Sequence, residues 1–323
     1  MTRILYAIIV VAVLLLFSCE HKELCDSHSH TSNVEVIFDW IHAPEANPET
    51  MRLYLFPNAG GSVQMYEFTD KNGGVIKIPN GTYKAVCVNS DTESIIYRNV
   101  DSFEFIEAFT SPGALILGSH AVPRVEGTES ERVSKSPDKL YSDRHKEVIV
   151  KDTKEDQTIT LYPESSVCRY RVTVLNVSNL KYVPADGISG ALTGMSGGLL
   201  LGPNRLTPER NTIPFSVTSD GISTINAEFL TFGHTDVAGS LHKLVIYVIL
   251  ADGTKNYYTF DVTAQVDGAD NPRDVHIVLD GLPLPKPIVN GGGFQPSVDD
   301  WDNIEVDVPM SVSYTHLTLP TIA

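Results

Sequence analysis

Apolar residues recur at every second position in one short run after another, and turn residues punctuate the runs. Val34, Val36, Phe38 and Trp40 alternate with Glu35, Ile37 and Asp39, which gives an extended segment one dominant apolar face. Met51–Pro57 is a second such run, ended by proline and Asn58. Lys71-Asn72-Gly73-Gly74 is a hairpin signal between Met65–Phe68 and Val75–Ile78, and Pro79-Asn80-Gly81 turns the chain into Thr82–Val88. Glu147–Val150 and Gln157–Tyr162 resume the pattern. Cys168–Val177, Ile188–Leu192, Met195–Leu200, Thr212–Val217, Ile222–Phe232, Lys243–Leu250, Tyr257–Val262 and Val275–Leu279 continue it, with Asp252-Gly253 as a further hairpin turn. No long helical pattern interrupts the second half and no βαβ alternation is visible, so the chain is expected to be all-β, built as antiparallel sandwiches.

Two features divide the chain. Ser119 to Arg144 is polar, holds Pro123 and Pro137, and predicts a surface excursion without strands. Pro163 closes the run before it, and Glu164-Ser165-Ser166 is turn-like, which places a domain boundary near 164. The expected units are a β-sandwich over 33–164 and a second over 165–298, each foldable alone; the competing arrangement is one large sandwich in which 157–162 and 167–177 form a hairpin. The two halves show no clear internal repeat in sequence.

The N-terminus reads as an export signal. Arg3 precedes an uncharged apolar stretch from Ile4 to Phe17, too short to cross a bilayer comfortably. It ends in Leu16-Phe17-Ser18-Cys19, which resembles the bacterial lipobox. The resemblance implies cleavage after residue 18 and lipidation (diacylglycerol and palmitate-type acyl chains) on Cys19, with 19–32 as a polar tether. Glu20 in place of aspartate favours sorting to the outer membrane. At the other end, 299–310 is acidic. Ser311–Ala323 lacks Asp, Glu, Lys and Arg and resembles a translated sequencing-adapter run, so it is set apart from the fold.

Composition excludes more than it selects. A formal charge of −16, spread along the chain with no basic stripe, argues against a nucleic-acid partner. Of the cysteines, Cys19 is taken by lipid, leaving an odd number. Cys87 and Cys168 lie in strand runs and read as small core residues, with a bridge between them as the alternative.

The chemical motifs are weak. Gly194-Met195-Ser196-Gly197-Gly198 has the spelling of a nucleophile elbow but no helix behind it, so it reads as a tight turn or bulge between strands. Cys25, His28 and His30 have no standard metal spacing, and His234 and His242 flank a loop without an evident carboxylate pair. Asp299–Asn303 shares only composition with a calcium loop. No catalytic residue, metal site or cofactor is expected.

In order along the chain, Leu16–Cys19, the strand Val34–Trp40, Met51–Phe56, Gly81–Val86 and Ser189–Gly198 resemble the fimbrillin-like lipoproteins of the Bacteroidales, in particular the fimbrial anchor and minor-subunit branch. The resemblance implies two tandem transthyretin-like β-sandwiches and a non-catalytic role. It places the protein at the outer membrane, held on the cell surface by its N-terminal lipid and partnered by fimbrial subunits through β-strand addition. The alternative is a surface glycan-binding lipoprotein, whose aromatic platform would be sought at Trp301, Tyr257 and Tyr258, with one of the adjacent tyrosines in the core and the other on the outer face.

Overall fold

The computed structural model describes residues 30–153, 155–234, 241–287 and 301–305. The export signal over 1–18, Cys19, Cys25, His28 and the tail beyond 305 lie outside the described residues.

The described residues form twenty-four strands, one five-residue α-helix and a three-residue 3-10 helix over Leu180–Tyr182. The first half holds β1 (Thr31–Phe38), β2 (Met51–Pro57), β3 (Gln64–Phe68), β4 (Gly73–Pro79), β5 (Gly81–Asn89), β6 (Ile95–Arg98) and β7 (Glu107–Thr110). After them come β8 (Ile116–Leu117), β9 (His120–Ala121), β10 (Arg132–Val133), β11 (Tyr141–Val150), β12 (Gln157–Leu161) and β13 (Glu164–Ser165). The second half begins with β14 (Cys168–Ser178), β15 (Ile188–Ser196), β16 (Gly198–Leu200), β17 (Arg205–Leu206), β18 (Arg210–Ser216), β19 (Thr218–Ser219) and β20 (Ile225–Thr231). It ends with β21 (Lys243–Ile249), β22 (Lys255–Asp261), α1 (Thr263–Asp267), β23 (Asp274–Pro283) and β24 (Asp302–Glu305). The all-β expectation holds, with pairing that is mostly antiparallel and parallel at four places.

Alternation decides the first core. In β1 every second residue is buried, so Val34, Val36 and Phe38 face inward. They belong to the sheet β12-β1-β4, which packs on the sheet β13-β11-β5-β2-β3 through Met51, Leu53, Leu55, Ala85 and Cys87. In the second half, the sheet β19-β20-β14-β23 packs on β10-β18-β15-β21-β22-β24, with Tyr170, Val172, Val174, Ile246 and Tyr258 in the core between them. Cys87 is buried, Cys168 is half-buried, and both are free thiols, so the bridge is not formed. Burial pushes both thiols up from their ordinary pKa.

Among the strands buried on both faces rather than alternating are β2 and β5 in the first half and β21 in the second. Their sequences Leu53–Phe56, Ala85–Val88 and Leu244–Val248 are continuous apolar runs for that reason, because a further layer covers each sheet's second face. Over the first half that layer is the sheet β17-β16-β7-β6. It mixes the two halves: Gly198, Leu199 and Leu200 of β16 pair with Phe109, Ala108 and Glu107 of β7. The third core beneath it takes Tyr54, Phe56, Val86, Val88, Phe103 and Ile106 from before the boundary and Val167, Leu199, Leu201 and Phe232 from after it.

Each half also repeats one topology. β1 lies between the antiparallel β4 and the parallel β12, and β14 lies between the antiparallel β20 and the parallel β23. The first strand of each half is thus paired in parallel with a strand near the end of that half, a likeness that sequence comparison of the halves does not reveal.

Gly73, in the hairpin that the sequence signalled, has φ +113° and stands so close to β1 that a Cβ would lie 2.0 Å from the Val36 carbonyl oxygen. Gly60, at φ +85°, has open space around it. Gly73→Ala is therefore expected to cost about 2–4 kcal/mol, combining left-handed strain of about 1–2 kcal/mol with displacement of β1. Gly60→Ala should cost only the strain. Urea unfolding of the two variants checks the difference.

Candidate functional site

The tract from Ser119 to Arg144, expected to be a strand-free excursion, contains β9, β10 and the start of β11 and crosses onto the second half. Its apolar residues explain why. Val122 and Val125, with Leu117 just ahead of the tract, are buried against Ala191, Val245 and Tyr247 on the outer face of the second half's large sheet. The Tyr247 hydroxyl donates to the Pro123 carbonyl at 2.9 Å, and β10 pairs in parallel with Asn211 and Thr212 of β18. The few aliphatic residues of the tract are spaced by prolines and charges, so they show no period, yet together they form the covering layer of this sheet.

Glu131 fixes the tract in place. Its carboxylate is buried and accepts from the Gly194 N–H at 3.0 Å and the Thr212 hydroxyl at 2.9 Å. Its other oxygen is 3.3 Å from the Arg210 guanidinium. A carboxylate from one half thus satisfies backbone and side-chain donors of the other, near the glycine cluster. Gly194 has φ +76° at a bulge between Leu192 and Met195 in β15, as the turn-or-bulge reading requires. Ser196 is buried and its hydroxyl lies 2.9 Å from the Gly198 and Thr207 carbonyls, so it carries no nucleophile geometry.

The structure assembles a pair that sequence spacing did not connect to a carboxylate. His234 and His242 have ring centroids 5.4 Å apart, and both Nε2 atoms face one oxygen of Asp267 in α1, at 3.8 and 3.5 Å. His234 Nδ1 lies 2.8 Å from the Tyr170 hydroxyl, and His242 Nδ1 lies 3.2 Å from the Thr193 carbonyl. Among the described residues no group of His, Cys, Asp or Glu is arranged to hold a metal ion. Burial holds the His242 imidazole below its ordinary pKa, assisted by the neighbouring His234 and Arg210 and opposed by the Thr193 carbonyl and Asp267. The unfolded chain therefore takes a proton near pH 6.5 that the folded chain refuses, and stability should fall as pH drops below that value. His242→Gln should flatten the dependence of the urea midpoint between pH 7 and pH 5.

Of the three aromatic residues named for the glycan alternative, Tyr257 and Trp301 share the outer face and pack half-buried on Tyr247. Tyr258 is buried in the second core, while Tyr257 lies on the outer face, as adjacent strand positions require. Trp301 packs edge-on against Tyr247 with ring centroids 5.9 Å apart and donates from Nε1 to the Ala121 carbonyl at 3.0 Å. His30 is exposed beside Asp152.

The functional features that do stand out are strand edges. The large sheet of the second half ends at β10 on one side and β24 on the other, and β24 pairs in parallel with Asn256–Thr259 of β22. At the exposed edge of β23, the Gln265 side chain accepts from the Val278 N–H at 2.8 Å and donates to its carbonyl at 3.1 Å. One amide side chain there takes the place of a neighbouring strand.

Comparison with known proteins places this architecture. Residues 18–216 match a family profile described as a domain of unknown function, DUF5119. The chain is 27% identical to the candidate fimbrium anchoring subunit Fim4B of Bacteroides ovatus, over 95% of this chain and 99% of that one. The crystal structure of a candidate adhesin from Bacteroides ovatus superposes with a TM-score of 0.62 at 26% identity, covering 91% of this chain and 98% of the other. A candidate adhesin from Bacteroides thetaiotaomicron shares the fold, with a TM-score of 0.51 at 12% identity over 79% of this chain and 92% of its own.

Proposed function

The chain belongs to the DUF5119 family, and on that footing we propose that it is a non-catalytic, fimbrial-anchor-type surface protein that joins fimbrial subunits through β-strand pairing. The observation that carries this reading is the likeness to Fim4B over nearly the whole of both chains. It covers the anchoring subunit as a unit and not one shared module.

The finer picture follows the sequence. Cleavage after residue 18 leaves Cys19 to carry the lipid that holds the protein in the outer membrane, facing outward. Residues 19–32 form the tether, and 33–164 and 165–298 form two tandem transthyretin-like sandwiches. The topology repeated around β1 and β14 supports this division, as do the separate cores of Val34–Leu161 and Tyr170–Leu284.

Deleting the gene should leave fimbriae shed into the medium or shortened in number on the cell. Cys19→Ala should copy that phenotype, with no labelled fatty acid on the protein and loss from the membrane fraction. Normal fimbriation in the deletion strain would refute the anchor role. Normal membrane retention of Cys19→Ala, with no lipid on the parent protein, would refute the lipid attachment alone.

A further inference from the structure

The His242 ring is fully buried, and its Nδ1 lies 3.2 Å from the Thr193 carbonyl. A carbonyl oxygen only accepts, so Nδ1 carries the proton of the neutral ring. Nε2 is then a lone pair, and it has no hydrogen-bond partner. What it faces, at 3.5 Å, is a carboxylate oxygen of Asp267, which is also an acceptor. The same oxygen lies 3.8 Å from His234 Nε2. The Tyr170 hydroxyl, 2.8 Å from His234 Nδ1, can accept from that nitrogen and so direct the second Nε2 lone pair toward Asp267 as well. Acceptors that converge in this way call for a cation among them. A proton would put a charged imidazolium in the fully buried His242 ring, which is costly.

The two imidazoles are oriented as metal ligands are, each through a hydrogen bond on the nitrogen opposite the one that would bind. The backbone holds the frame. The His242 N–H donates to the Thr263 hydroxyl at 2.9 Å, at the start of α1, and the Val262 N–H donates to the His242 carbonyl at 2.9 Å. Two ligands of one tetrahedral zinc, each about 2.0–2.1 Å from the ion, stand roughly 3.3 Å apart. The separations of 3.5 and 3.8 Å exceed this by a few tenths of an ångström. As the side chains stand the trio is therefore not a closed metal centre, in keeping with the absence of one among the described residues. The Asp267 side chain is about half exposed, so a small rotation can bring its carboxylate inward, and water can reach a fourth position from the same side.

We propose that His234, His242 and Asp267 form a binding site for a zinc-class divalent ion, which closes when the ion draws the Asp267 carboxylate inward. Two imidazole nitrogens and one carboxylate suit Zn2+, whereas Mg2+ and Ca2+ take oxygen ligands. The bound ion ties together the chain that follows β20, the chain that leads into β21, and α1. Its role is a clasp within the second half, and the site does not depend on the strand-pairing reading.

Zinc titration of the purified, chelator-treated protein tests this. The reference chain carries Cys25→Ser, His28→Gln and His30→Gln, which removes the competing donors near the N-terminus. It should bind one equivalent of Zn2+, its thermal unfolding midpoint should rise with added Zn2+, and Mg2+ should do neither. Co2+ in place of Zn2+ should give the visible absorption of a tetrahedral site. Asp267→Ala, at a half-exposed position that leaves the core intact, should weaken Zn2+ binding at least about ten-fold and remove the Co2+ band. His242→Gln should do the same, and because that ring is buried its fold is checked by its unfolding transition without metal. A folded reference chain that takes up no Zn2+, or one whose Zn2+ affinity and Co2+ spectrum are unchanged by Asp267→Ala, overturns the site.

Discussion

Expressed apart, residues 33–164 and residues 166–298 are expected to be aggregated or molten, whereas the complete chain unfolds in one cooperative transition. The reason is the third core. Val167, Leu199, Leu201 and Phe232 are buried there against Tyr54, Phe56, Val86, Val88, Phe103 and Ile106. At about 1.5–3 kcal/mol per buried side chain, the four residues from the second half contribute on the order of 10 kcal/mol. That matches the whole stability of an ordinary domain, about 5–15 kcal/mol. Cutting between 164 and 166 also opens the pairing of β7 with β16 and of β10 with β18, and it bares the outer face of the large sheet. Exposed strand edges and apolar faces of this kind aggregate. Co-expression of the two pieces should recover soluble complex. Dispersed amide spectra for both isolated fragments, with separate melting transitions, would contradict this account.

Glu131→Ala should lower stability by about 3 kcal/mol, the cost of leaving the Gly194 N–H and the Thr212 hydroxyl buried without an acceptor. The Arg210 Nε that faces Glu131 is buried, so losing its charged partner adds to this cost although the side chain as a whole is part-exposed. Glu131→Gln discriminates between charge and hydrogen bonding. Both donors reach the same carboxylate oxygen, which an amide oxygen can replace, while the amide nitrogen then opposes Arg210. The glutamine variant should therefore lose about 1 kcal/mol only. The alanine variant should also expose the tract, giving proteolytic cleavage between residues 119 and 140 before the rest of the chain. Equal urea midpoints for the alanine variant and the parent would show that Glu131 does not fasten the tract.

Local pattern revealed the strands and hid the layers. Val34–Phe38 and Cys168–Val177 announce themselves by alternation because one face of each meets a core. The chain between Val88 and Ser119 gave no such signal. Its strands β6 and β7 are four residues each, and β7 finds its partner in Gly198–Leu200, far along the sequence. A clue was present in the continuous apolar runs Leu53–Phe56, Ala85–Val88 and Leu244–Val248, which imply a cover on both faces without saying what supplies it. Ser196 reads as structural because an elbow needs a following helix, and its buried hydroxyl is bonded to the Gly198 and Thr207 carbonyls. The meeting of His234 and His242 at Asp267 was out of reach, because α1 has no periodicity long enough to place a carboxylate. Trp301 reads from sequence as part of an exposed aromatic platform, whereas it packs half-buried on Tyr247 just ahead of β24.

The parallel pairing of first with late strands has a mechanical consequence. In each half the chain enters along β1 or β14 and leaves along β12 or β23, side by side and pointing the same way. Tension applied between the start of β1 and the end of β12 therefore slides the two strands past each other along their length. All the rungs from Val34–Gln157 to Phe38–Leu161 resist together, and so do those from Arg169–Asp274 to Ser178–Pro283 in the second half. An antiparallel hairpin pulled from its two free ends would instead yield one rung at a time. A tether pulled at one end and a filament at the other would load this molecule in shear, the direction in which a sheet gives way last.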